Sequence, residues 1–92
     1  MASYLKDPDE VLDYSMDWSA RLPAGDTVES AVWTLPTGIT QPSGKPSQLA
    51  GSVTTVWLEG GTAGSDYRVS CRVTTVADRV FERSIIIMVR NR

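Results

Sequence analysis

The groups in this sequence with a capacity for chemistry are one cysteine, eleven carboxylates, nine basic side chains and three tryptophans; histidine is missing altogether. Without histidine, the Ser–His and Cys–His nucleophile pairs are impossible and the common zinc sites lose a principal ligand. Cys71 stands in Val69-Ser70-Cys71-Arg72-Val73, where alternation groups it with the valines. It reads as a buried small hydrophobe, because no imidazole is present to activate its thiol. Asp7, Asp9, Glu10, Asp13 and Asp17 crowd the front of the chain. A paired-acid hydrolase needs two carboxylates across a cleft, and a calcium loop needs a central glycine and a distal glutamate. These acids meet neither requirement and read as a solvated face. The stretch from Gly38 to Pro46 has the look of a phosphate-binding loop, but one residue too many separates its glycines. Pro46 also occupies the place of the magnesium-binding hydroxyl, and no helix pattern follows. The expectation is a protein that is not an enzyme, with no metal and no cofactor.

The elements that must position these residues are strands. The chain has 92 residues, 41% hydrophobic and 22% charged, which is the size and balance of one small folded domain. Ten valines, nine threonines and four isoleucines tilt it towards β structure. No apolar run approaches the roughly 20 residues of a membrane span, and residues 3–10 are too polar for the core of a signal peptide. The net charge of −2 argues against nucleic acid as a partner, and no membrane partner is expected.

Residues 1–10 are polar and read as an N-terminal arm, leaving residues 11–92 as the domain. Asp7-Pro8-Asp9-Glu10 has the grammar of a helix start, with a capping acid, proline in the first turn and a returning glutamate. From Leu12 the apolar residues fall at every second position through Tyr14, Met16 and Trp18, so a single helical turn is predicted to feed a strand. Further strands are predicted over 27–34, with a bulge or two-sided burial, at 38–40, and over 52–58, 67–75 and 79–90. Turns are predicted at 22–26, 59–66 and Ala77-Asp78. Six or seven short strands without a longer helix read as an antiparallel β-sandwich of the immunoglobulin-like kind. Tyr67, entering the penultimate strand after a glycine-rich corner, fits that fold, although Cys71 lies four residues on and misses the antibody spacing.

Binding is the remaining capacity. Trp57 lies opposite the face of Val56 and Leu58 and is the tryptophan best placed for a contact; Trp18 shares a face with Leu12, Tyr14 and Met16 and reads as core. Charge is divided along the chain. Residues 1–17 hold Lys6 against five acids, whereas residues 68–92 hold Arg68, Arg72, Arg79, Arg83, Arg90 and Arg92 against Asp78 and Glu82. Either the chain ends pair within one molecule, or the acidic arm of one subunit (Asp7, Asp9, Glu10) lies on Arg68, Arg72, Arg79 and Arg83 of the next, a head-to-tail contact that closes into rings. Arginine outnumbers lysine seven to two, which suits ordered interfaces.

The run Asp7-Pro8-Asp9-Glu10-Val11-Leu12-Asp13-Tyr14-Ser15-Met16-Asp17-Trp18 resembles the opening of small tailed-bacteriophage structural proteins of the fibre–tail adaptor or neck-region family. Leu22-Pro23-Ala24-Gly25-Asp26-Thr27-Val28, Leu58 through Tyr67, and Arg68 to Val76 with Arg79, Glu82, Arg83 and Ser84 extend the likeness from Lys6 to about Arg90. The resemblance implies a virion protein made in the bacterial host cytoplasm, present in several copies and built on an immunoglobulin-like sandwich. Its implied partners are portal, neck, tail or fibre subunits and copies of itself. A capsid decoration protein and a carbohydrate- or receptor-binding module, the latter stacking sugar on Trp57, are the alternatives.

Overall fold

A computed structural model describes residues 2–91. Its elements run β1 (Ala2–Lys6), β2 (Leu12–Asp17), a 3-10 turn (Ser19–Arg21), β3 (Val28–Thr34), β4 (Ile39–Thr40), β5 (Gln48–Ala50), β6 (Val53–Gly60), β7 (Asp66–Thr75) and β8 (Val80–Val89). They form two sheets, one in the order β1-β8-β7-β3 and the other β2-β6-β4, with β5 also paired to β6. The chain is all-β as expected, with more strands than the six or seven predicted.

The strands come from the alternation of the sequence. In β7 and β8 every second side chain, from Val69, Cys71 and Val73 to Ile85, Ile87 and Val89, is buried; in β2 and β6 the same holds for Tyr14, Met16, Val56 and Leu58. These faces share one core, because a strand with one apolar face must cover it against another element. Trp18 follows β2 directly and is fully buried in that core. Its indole N–H donates to Thr54 Oγ1 at 3.0 Å, and the Cys71 thiol donates to the same oxygen at 3.7 Å. One hydroxyl on β6 thus ties β7 of the first sheet to the second.

One expectation is corrected, one is met and one strand is added. Over residues 2–6 the predicted arm is strand β1, which runs parallel to β8 with Ala2 opposite Ile85 and Lys6 opposite Val89. The first sheet is therefore mixed rather than antiparallel. Four of the five β1 residues are exposed, as befits an edge strand, and such a strand carries little alternation to read. The predicted single turn at 7–10 is present, with Glu10 N–H donating to Asp7 O at 3.0 Å, and it leads into β2. Its bonds are those of a capping box, with Asp7 N–H donating to Glu10 Oε1 at 2.7 Å and Asp9 N–H to Asp7 Oδ1 at 2.9 Å, but the β-alternating residues that follow give no helix to cap. Strand β5 forms just ahead of the strand predicted over 52–58, outside every predicted element, and pairs across a tight turn to β6.

The bulge in β3 is present: pairing to β7 slips between Val28 and Ser30, so Val28 is buried while Val32 points outward and Ala31 and Trp33 face inward. At the predicted corner, Tyr67 Oη accepts the Thr62 N–H at 2.9 Å. The ring lies against Gly38, where φ is +103° and a Cβ would stand 2.9 Å from a ring carbon, so glycine is required there twice over.

Thr54→Val keeps the shape of the side chain but strands the Trp18 N–H, so it should lower unfolding free energy by about 1–3 kcal/mol. Thr54→Ser keeps the acceptor and should lose only about 1 kcal/mol for the missing methyl group. Urea titration of both variants checks this; a valine variant as stable as the parent would remove the hydroxyl from its central role.

Candidate binding surfaces

The outer face of the first sheet is a ladder of cross-strand pairs set by the β7–β8 register. Arg72 stands opposite Glu82, Ser70 opposite Ser84, Arg68 opposite Ile86 and Asp66 opposite Met88. Arg72 Nε meets Glu82 Oε1 at 3.1 Å, and the Ser70 and Ser84 hydroxyls are 2.8 Å apart. Asp66 is held by Arg90 at 3.0 Å. Leu5 of β1, opposite Met88, extends the row and is half exposed. Arg68 is exposed in this ladder, and its side chain makes no hydrogen bond or ion pair among the described residues.

The remaining predicted arginines have structural partners. Arg79 donates to Asp26 Oδ2 at 2.9 Å, binding the β7–β8 hairpin to the turn before β3. Asp26 also accepts the backbone N–H groups of Ala77 and Thr27. Burial pushes the Asp26 carboxyl upward, but the hydrogen bonds from Thr75, Arg79, Ala77 and Thr27 outweigh it and hold the group below the usual carboxylate range. Arg83 faces the opposite way from Arg72. It donates to the Asp17 carbonyl at 3.0 Å and lies over the Trp18 ring, 5.4 Å from its centroid. Arg92 lies outside the described residues.

The acids at the front serve a lysine that composition did not single out. Lys6 is fully buried, and its Nζ donates to Gly60 O at 2.7 Å and Asp7 O at 3.0 Å. Burial lowers its pKa, while Glu10, Asp7, Asp9 and Glu59 pull the other way. A buried ammonium needs such compensation, and the acidic turn supplies it. Asp7 and Glu10 are thus engaged in their own turn, and Asp9 is exposed. Among the described residues no group of three or more acids or cysteines is placed to hold a metal ion.

Trp57 lies on the outer face of the second sheet opposite Asp13, partly buried, with Lys45 Nζ 4.3 Å from its ring centroid. A cation over the ring is an attractive contact and covers one of its faces. The feature that residue-by-residue reading missed is Arg21, isolated between Ala20 and Leu22. It lines the same groove as Arg68 and Arg83, at the point where β1 begins alongside β8. No sequence pattern links positions so far apart.

These surfaces are faces of ordered strands that carry ion pairs and cross-strand hydrogen bonds. A comparison with known protein families matches residues 6–88 to podophage GP4 fiber-tail adaptor protein gp77. The chain belongs to that family. The match begins at the buried Lys6 and ends at Met88 in β8, so it spans both sheets. It agrees with the family resemblance read from the residues and makes this a bacteriophage structural protein of the adaptor type. A comparison with curated proteins finds no match.

Asp26→Asn should lower the melting temperature at neutral pH, and the gap from the parent should close in acid. The folded pKa of Asp26 is depressed, so its contribution is present above the ordinary aspartate value of about 3.9 and is lost as pH falls through the folded value. Melting curves from neutral pH down to about 2 check this; a gap constant with pH would show that Asp26 contributes no charge-dependent stability.

Proposed function

We propose that this protein is a non-enzymatic adaptor that fastens a fibre to the tail of a podophage particle, in several copies at that junction. The observation that carries this reading is the family match over residues 6–88, nearly the whole chain. Side-chain placement supports it. Exposed faces are laced by short-range ion pairs and hydrogen bonds, which fix a surface for recognition, and the buried thiol and scattered carboxylates assemble no reactive centre. The adaptor is built on an immunoglobulin-like sandwich, a reading supported by the Tyr67 hydroxyl turned back on the Thr62 N–H at the entry to β7.

Self-association follows the same logic. Asp9 and Asp13 are exposed on one side of the molecule and Arg68 on another, so a head-to-tail contact between copies joins opposite charges. The sugar-binding alternative is weaker, because Lys45 already occupies a face of Trp57 that a sugar ring would need.

The test is a phage in which this gene is interrupted. Particles made without the protein should package DNA and carry a tail but lack fibres, and they should fail to adsorb until the purified protein and fibres are added back. Particles that keep their fibres would overturn the proposal.

A further inference from the structure

Strand β8 is ten residues long, and β7 pairs with it from Met88 back to Val80. Strand β1 covers its other side only from Val89 to Ile85. The first half of β8 therefore has one bonded side and, among the described residues, no strand on the other. The alternation identifies the groups left there. Val89 exchanges hydrogen bonds with Ser65 and Gly64, and Arg79 O accepts from Thr75 N–H, all on the β7 side; Arg90 N–H donates to Lys6 O on the β1 side. Odd positions of β8 thus face β7, and the backbone N–H and C=O of Val80 and Glu82 face the open side.

A groove of about 480 Å³ is bounded by Ala2, Arg21, Arg68 and residues 82–85 of β8. Glu82 is already paired with Arg72, and Arg83 is held on the Asp17 carbonyl. The Arg21 and Arg68 side chains make no hydrogen bond or ion pair among the described residues. The groove thus joins an open strand edge to two unengaged guanidinium groups.

Resting on the adaptor reading, we propose that this groove receives an extended acidic segment of a partner virion protein, added to the open edge of β8 as a strand in line with β1. Its backbone pairs with Val80 and Glu82, and its carboxylates reach Arg21 and Arg68. A peptide satisfies alternating N–H and C=O groups along a strand edge; a nucleic acid does not, and the chain's net charge of −2 opposes one.

The probe is a short fluorescein-labelled peptide alternating glutamate with valine or threonine, titrated against the full chain by anisotropy. Controls are the same peptide with lysine for glutamate and one N-methylated along a single backbone edge. The acidic peptide should bind and the lysine peptide should not, with N-methylation, Arg21→Glu and Arg68→Glu each weakening binding about tenfold or more, or about 1.4 kcal/mol. Melting curves confirm that the variants fold, and Arg→Gln versions replace any that do not. Failure of the acidic peptide to bind, or binding indifferent to N-methylation or to both arginines, would overturn the proposal. A chain that still joins fibre to tail while failing this titration leaves the adaptor reading intact and removes only the groove; a chain that passes it but does not join them does the reverse.

Discussion

The rest of the structure depends on burying one indole between two sheets. Trp18 is fully enclosed, and a buried N–H without an acceptor is costly. Thr54 supplies that acceptor from the neighbouring strand of the same sheet and takes the Cys71 thiol from the facing one. Register follows from this bond. A slip of one residue in β6 would turn Thr54, Val56 and Leu58 to solvent and bring Thr55 and Trp57 into the core. Because the inward set is held, the outward set is held too: Trp57 and Asp13 on one face, Arg68 and Arg72 on the other.

Charge is organised by the same economy of position. The acids at the front of the chain surround a buried ammonium, and three of the late arginines close turns or edges through Asp26, Asp66 and the Asp17 carbonyl. Within the molecule the ends of the chain are close, with β1 against β8, and Arg83 donates to the Asp17 carbonyl, while Arg79 and Arg90 pair with Asp26 and Asp66. Among the described arginines, Arg21 and Arg68 are left exposed without a side-chain hydrogen bond or ion pair, and they lie beside the stretch of strand edge that β1 does not reach.

How much of this was legible in the sequence depended on burial. Strands β2, β6, β7 and β8 each bury one face, so apolar residues at every second position announce them, and Trp18 and Cys71 were readable as core on that ground alone. The β3 bulge was readable as a break in the alternation. Strands β1 and β5 were not, since both lie at sheet edges with most of their side chains in water. The Asp7 to Glu10 turn was legible from its capping residues, and the alternation of the next six residues announced the strand that follows it. Trp57 and Arg68 were found as outward residues by parity. Arg21 was not found, because it joins the groove through the 3-10 turn after Trp18, a three-dimensional coincidence with no periodic signature.

The close-packed core shared by the two sheets fixes the outer faces of the domain. The most direct measurement is a cryo-electron microscopy reconstruction of the intact tail with its fibres, at a resolution that traces β strands. The account predicts several copies of this domain between fibre base and tail, in contact with both. Copies found on the capsid surface or elsewhere away from every fibre base would contradict it.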